Sequence, residues 1–114
     1  VAAPALARGL NEAMSGAHVA SGGVRVSPIY SFRDGEDRAC RVFAAEASGV
    51  ALEGAACRHG ASWRVIALAP ATVREDFTQA GADEPAAVAA AVDRIWADEI
   101  GAEEEATLIE RGWR

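Results

Sequence analysis

The chain has no lysine at all: its basic charge comes from 11 Arg among 114 residues. Aromatics are scarce at 6%, Met occurs once, and only 2 Cys are present. A core built from such residues is modest and rich in small side chains, and Ala alone fills 28 positions. No apolar run approaches the roughly 18 residues that a membrane-spanning helix needs. Nucleic acid needs a basic face to meet its phosphates, which a net charge of −6 and a pI near 4.8 argue against. No glycine-rich phosphate cradle occurs. Asp34, Glu36 and Asp37 lack the later Glu of an EF-hand loop and read as a turn. The chain opens at Val1 without Met or the charged n-region of a signal peptide, which reads as a fragment or a processed form.

What is present describes one globular domain over residues 1–114, with 51% apolar and 25% charged residues. Charge is uneven. Residues 1–74 carry six acids and eight Arg, whereas residues 75–110 carry eleven acids and one Arg. The acidic third reads either as a solvated helix face or as the partner of the earlier Arg residues.

The periodicity predicts an α+β fold. Leu6, Leu10 and Met14 recur at helical spacing over 4–19, and Ser21-Gly22-Gly23 ends that segment. Between 24 and 68 the period becomes two, which predicts a four-stranded antiparallel meander with turns at 34–37, Ser48-Gly49 and His59-Gly60. Pro28 cannot donate a ladder bond, so the first strand is expected at an edge. A loop with Gly81 and Asp83 leads to a helix over 85–99, Gly101 breaks it, and a short helix follows at 103–111. One sheet face is expected beneath the N-terminal helix and the C-terminal helices.

The cysteines follow from the register. A two-residue turn at Ser48-Gly49 pairs positions symmetrically about it and sets Cys40 opposite Cys57. Opposed residues have Cβ atoms roughly 4.5–5.5 Å apart, near disulfide range. The alternatives are two buried thiols, or a zinc site with His59 that lacks an evident fourth ligand. A disulfide implies an oxidising compartment such as a periplasm.

A four-residue loop at 34–37 pairs Arg33 with Arg38. It then places Val24, Val26, Tyr30, Phe32, Phe43, Ala45, Val50, Leu52 and Ala56 on the core face, with Trp63 and Val65. Cys40 and Cys57 fall on the wetter face with Ser31 and Arg33. Arg41 and Arg58 fall on the core face, with Tyr30 opposite Arg41. A guanidinium there must be paired or reach water. Acids of the C-terminal third are one partner. The other reading is an anion or peptide-carboxylate site built from Arg41, Arg58, Tyr30 and Trp63. Catalysis finds little support: Ser62 and His59 share one tight turn and no third group orients the base. No metal or cofactor is expected.

The strings Ser31-Phe32-Arg33-Asp34-Gly35, Cys40-Arg41-Val42-Phe43, Gly54-Ala55-Ala56-Cys57-Arg58 and Ser62-Trp63-Arg64-Val65, with the ending from Glu105 to Arg114, carry a likeness. Over roughly residues 24–114 the chain resembles the C-terminal periplasmic domain of membrane-bound anti-sigma factors from alphaproteobacteria. Similar short strings occur in small surface-antigen lipoproteins of the envelope. The resemblance implies a non-catalytic sensing or regulatory domain controlling transcription, with residues 1–20 as a juxtamembrane helical segment. It implies a sigma factor as partner only through a cytoplasmic part absent from this chain. Direct partners are then an envelope protein, a small ligand or a second copy of the chain. The alternative is a structural or interaction module of the cell envelope.

Overall fold

The computed structural model describes residues 4–71 and 85–113; the expected loop at Gly81 and Asp83 lies outside them. The order of elements is α1 (Pro4–Glu12), β1 (Val19–Ser21), β2 (Val24–Asp34), β3 (Ala39–Ala47), β4 (Val50–His59), β5 (Ser62–Pro70), α2 (Ala86–Ile95), β6 (Trp96–Ile100) and α3 (Ala102–Glu110). The α+β class and the antiparallel meander hold, but among the described residues the sheet has six strands and not four.

Both extra strands come from stretches read as helix. The N-terminal helix stops at Glu12, and Val19–Ser21 pairs with Val24–Val26 across Gly22 and Gly23. Both glycines have positive φ (58° and 80°), the pair of values that a two-residue hairpin of matching twist requires. The helix expected over 85–99 ends at Ile95, and Trp96–Ile100 runs antiparallel to β2. Thus β2 is not an edge strand: β3 lies on one side, and β1 and β6 share the other. Pro28 is tolerated because it falls in the gap between those two partners. Its carbonyl accepts the Gly16 N–H at 2.9 Å there, and the same outward direction is where its N–H would have pointed.

The β2–β3 pairing departs from the expected register at two points, and β4–β5 carries a separate shift between Ala55 and Ala56. The first turn has three residues, 35–37, closed by the Asp34 N–H donating to the Arg38 carbonyl at 3.0 Å, with Asp37 left-handed at φ 63°. Arg33 therefore pairs with Ala39, not Arg38. Farther along, Ile29 is an extra residue in β2, and from Pro28↔Phe43 downward the expected register returns. Between these two offsets every side chain changes face, because a one-residue shift inverts the alternation. Tyr30 and Phe32 consequently leave the face of Val26 and Phe43.

Both faces of the sheet are covered, not one. One holds Leu10, Val26, Phe43, Ala56, Trp63, Leu108 and Trp113, beneath α1 and α3. The other holds Phe32, Cys40, Val42, Ala55 and Cys57 with Val88 and Val92 of α2. Gly9 lets α1 lie close on β2, since a Cβ there would come 2.4 Å from Cβ of Val26.

Candidate functional site

Cys40 and Cys57 are direct partners, with Cα atoms 4.0 Å apart, and they form a disulfide. The turn that sets this register has both residues at positive φ, Ser48 at 50° and Gly49 at 77°. The bridge does not lie on a wet face. Cys40 is fully buried and Cys57 is 2% exposed, between Phe32 and α2. Asp34 lies beside the two sulfurs, and one ligand atom from each of the three residues falls within 4.8 Å of the others. This is not a metal centre in the oxidised chain, because the bridge consumes both thiolates and Arg38 Nε donates to Asp34 Oδ2 at 3.0 Å. Burial pushes the Asp34 carboxyl up, but N–H donation from Arg38 and Glu36 and the Arg38 guanidinium outweigh it and hold Asp34 below its ordinary value.

Arg41 is the most enclosed charge of the described residues, with none of its surface exposed. Its Nε donates to Ser31 Oγ at 2.9 Å and its Nη1 to the Leu10 carbonyl at 2.5 Å. Its Nη2 lies 3.2 Å from Glu105 Oε2, and its guanidinium stands 4.8 Å from the centre of the Trp113 ring. Of the reading that paired the early Arg residues with the acidic third, this is the buried instance. Arg33 with Glu104, the preceding residue in the same first turn of α3, at 2.5 Å, is the exposed one.

Glu105 is itself 2% exposed and is held from three sides. The Ser15 N–H donates to Oε1 at 2.7 Å, and the Ser15 and Ser31 hydroxyls donate to Oε2 at 2.5 and 2.6 Å. Ser31 thus accepts from Arg41 and donates to Glu105, a relay of charge-assisted bonds that runs beside the direct ion pair, in which Arg41 Nη2 makes no hydrogen bond among the described residues. Burial opposes ionisation of Glu105, yet the Ser15 and Ser31 donors and the Arg41 charge keep its carboxyl below the ordinary value. Burial likewise pushes Arg41 down, to about 10, against the pull of Glu105. Both groups are charged at neutral pH.

Arg58 emerges at the end of the sheet. Its Nε donates to the Gly60 carbonyl and its Nη1 to Asn11 Oδ1, each at 3.0 Å. Trp63 is buried, and its indole N–H donates to the same Asn11 oxygen at 2.8 Å, while the Trp113 indole N–H donates to the Asn11 carbonyl at 3.0 Å. Trp63 and Trp113 meet edge to face at 5.2 Å. Of the four residues expected to form one anion site, Arg58 and Trp63 are therefore together, with the guanidinium 5.6 Å from the ring centre. Arg41 is spent on an internal ion pair. Tyr30 is not opposite Arg41; it pairs with Val42 and stands 6.3 Å from Phe32 and 6.2 Å from Trp96. The four do not make a single site.

Sequence reasoning missed Ser15, Ser31, Asn11, Glu105 and Trp113 as parts of one assembly. The charge asymmetry was the one signal pointing toward it, and it did not single out Glu105 from its two Glu neighbours.

A cleft of about 360 Å³ opens beside this network, lined among others by Ser15, Tyr30, Ser31, Trp96, Glu99 and Glu105. It sits where β1 and β6 leave the outer edge of β2 uncovered between Val26 and Ser31. His59 and Ser62 do not form a nucleophile–base pair: the Ser62 hydroxyl donates to the His59 carbonyl at 3.2 Å, a turn contact. No family model, no curated protein and no solved structure matches this chain.

Proposed function

We propose that this chain is a non-catalytic periplasmic sensing domain of a membrane-bound anti-sigma factor, acting on transcription through a cytoplasmic part that lies outside this chain. The observation that carries the reading is a clamp between the two ends of the fold. Glu105 of α3 holds Ser15, Arg41 holds the Leu10 carbonyl, and Trp113 holds the Asn11 carbonyl. Glu105 and Trp113 grip Ser15 and Asn11 directly, and Arg41 of β3 links Glu105 to the Leu10 carbonyl, so a shift of α3 strains or releases the N-terminal helix and the turn after it. In the anti-sigma factors that the sequence resembles, the corresponding helix follows the transmembrane span. A ligand that binds two packings of this clamp unequally alters the position of that helix, and only unequal binding can do so.

One further observation supports the reading. The buried Cys40–Cys57 bridge suits an oxidising compartment. The test is transcription from sigma-dependent promoters in cells carrying the whole gene, with residues 4–113 deleted or with Glu105→Gln. Altered output in both is expected, and unchanged output in both overturns the regulatory reading.

The second reading, a structural or interaction module of the cell envelope, draws on exposed apolar side chains of β4 and β5, with Val50 58% and Leu68 52% exposed. The coding sequence upstream separates the two. A transmembrane helix after a cytoplasmic domain supports the first, and a lipoprotein signal supports the second.

A further inference from the structure

The cleft beside the clamp combines three properties that point to one ligand class. Its rings form a corner: Trp96 is 44% exposed, and its centroid lies 6.2 Å from that of Tyr30 with the planes at 56°. Phe32 stacks behind Trp96 at 5.1 Å and 15°, which fixes the indole in place. Two aromatic faces meeting at an angle present concentrated negative quadrupole to a guest, the arrangement that attracts an organic cation. The charged lining has one sign. Glu99 and Glu105 line the cleft and no Arg does, among the described residues. Glu105 is already answered by Arg41 from behind, so Glu99 is the carboxylate left to face a guest. The amino end of α3 opens here too, and the Glu residues of its own first turn answer its partial positive charge. The volume of about 360 Å³ lies at the small end of ordinary ligand cavities, about 300–1,000 Å³.

We propose that this notch in the sheet edge binds a small alkylammonium, its charged head in the corner of Tyr30 and Trp96 and its charge matched by Glu99. The inference names the ligand class of the sensing domain and rests on that reading for its consequence. Ser15 and Glu105 line the same cleft, so an occupant lies next to the contact that ties α3 to the N-terminal segment.

Titration of the whole chain with choline, followed by the indole N–H signals of its three tryptophans in ¹⁵N-labelled protein, decides the matter. The Trp96 signal is expected to move saturably, while those of Trp63 and Trp113 stay. The neutral carbon isostere of choline, 3,3-dimethylbutan-1-ol, is expected to bind about tenfold more weakly. Butylammonium in place of choline distinguishes a primary from a quaternary head. Trp96→Leu is read on the backbone amides around Ser15 and Ser31 and loses roughly tenfold in choline affinity. Glu99→Gln, an exposed change that leaves the core intact, loses roughly threefold. An absence of saturable change, equal binding of the neutral isostere, or full affinity in Trp96→Leu overturns the site. Binding without any response of the sigma-dependent reporter leaves the site standing and overturns the regulatory reading instead.

Discussion

Replacing Arg41 by Met is the sharpest test of how the two ends of this fold are joined. The change keeps the apolar stem and removes the charge, the bonds to Ser31 and Leu10, and the contact with Trp113. Glu105 stays buried beside it without its counter-charge. Removing one partner of a buried pair costs about 3–5 kcal/mol, mostly because the other charge is left uncompensated. Domains of this kind hold about 5–15 kcal/mol in all, so the variant remains measurable. At a urea dependence of about 2 kcal/mol per molar, the unfolding midpoint at pH 7 falls by roughly 2 M. Arg41→Met combined with Glu105→Leu recovers most of that loss, because no lone charge remains. Acid recovers part of it in the single variant, since an unpaired buried Glu105 protonates more readily and its burial then costs less. Arg33→Ala removes the neighbouring pair with Glu104, whose side chains are 26% and 44% exposed, and costs no more than about 1 kcal/mol. Equilibrium urea unfolding without reductant reads all four proteins. A loss below about 1 kcal/mol for Arg41→Met, or a loss for Arg33→Ala that equals it, refutes the clamp.

The remaining expectations rest on separate features. Glu105 and Asp34 have carboxyls held below their ordinary values of 4.5 and 3.8. Their stabilisation is complete above those values and fades as the pH falls through and beneath them. Acid unfolding monitored by circular dichroism checks this, and Glu105→Gln is expected to flatten the profile. Reducing the Cys40–Cys57 bridge costs about 3 kcal/mol in the loop-entropy account. Because both sulfurs are buried, alkylation after mild reductant is expected only as the chain unfolds, as intact mass will show. Gly9→Ala drives a methyl into Val26 and is expected to cost about 1–3 kcal/mol, read as a lower melting temperature. Asn11→Leu strips a shared acceptor from the Trp63 and Arg58 donors and is expected to cost about 1–3 kcal/mol in the same measurement.

The parts of this molecule that local chemistry dictates are readable in its residues, and the parts that distant partners dictate are not. The Cys40–Cys57 pairing follows from a two-residue turn, because such a turn fixes every rung of its hairpin. The face of Tyr30 and Phe32 does not follow, because it depends on two single-residue offsets, left-handed Asp37 and the bulge at Ile29. Each flips the alternation, so only the stretch between them is inverted. Trp96–Ile100 continues the apolar pattern of α2, and its strand character comes from β2, more than sixty residues earlier. Val19–Ser21 had a local signal in Gly22-Gly23, which serves equally to end a helix. Of Glu103, Glu104 and Glu105, only the last is buried, and the rotation of α3 against β2 selects it. The packing of α2 on the second face goes with the same flip, which puts Phe32 beside the disulfide beneath Val88 and Val92.

The three indoles divide the molecule into two optical territories. Trp63 and Trp113, interlocked and both tied to Asn11, are an asymmetric chromophore pair whose near-ultraviolet dichroism vanishes if the carboxy-terminal tail detaches. Trp96 looks outward and emits as a half-wet ring, quenchable by solutes that never reach the other two. Tail release and edge-strand events can therefore be timed separately in the unlabelled native protein.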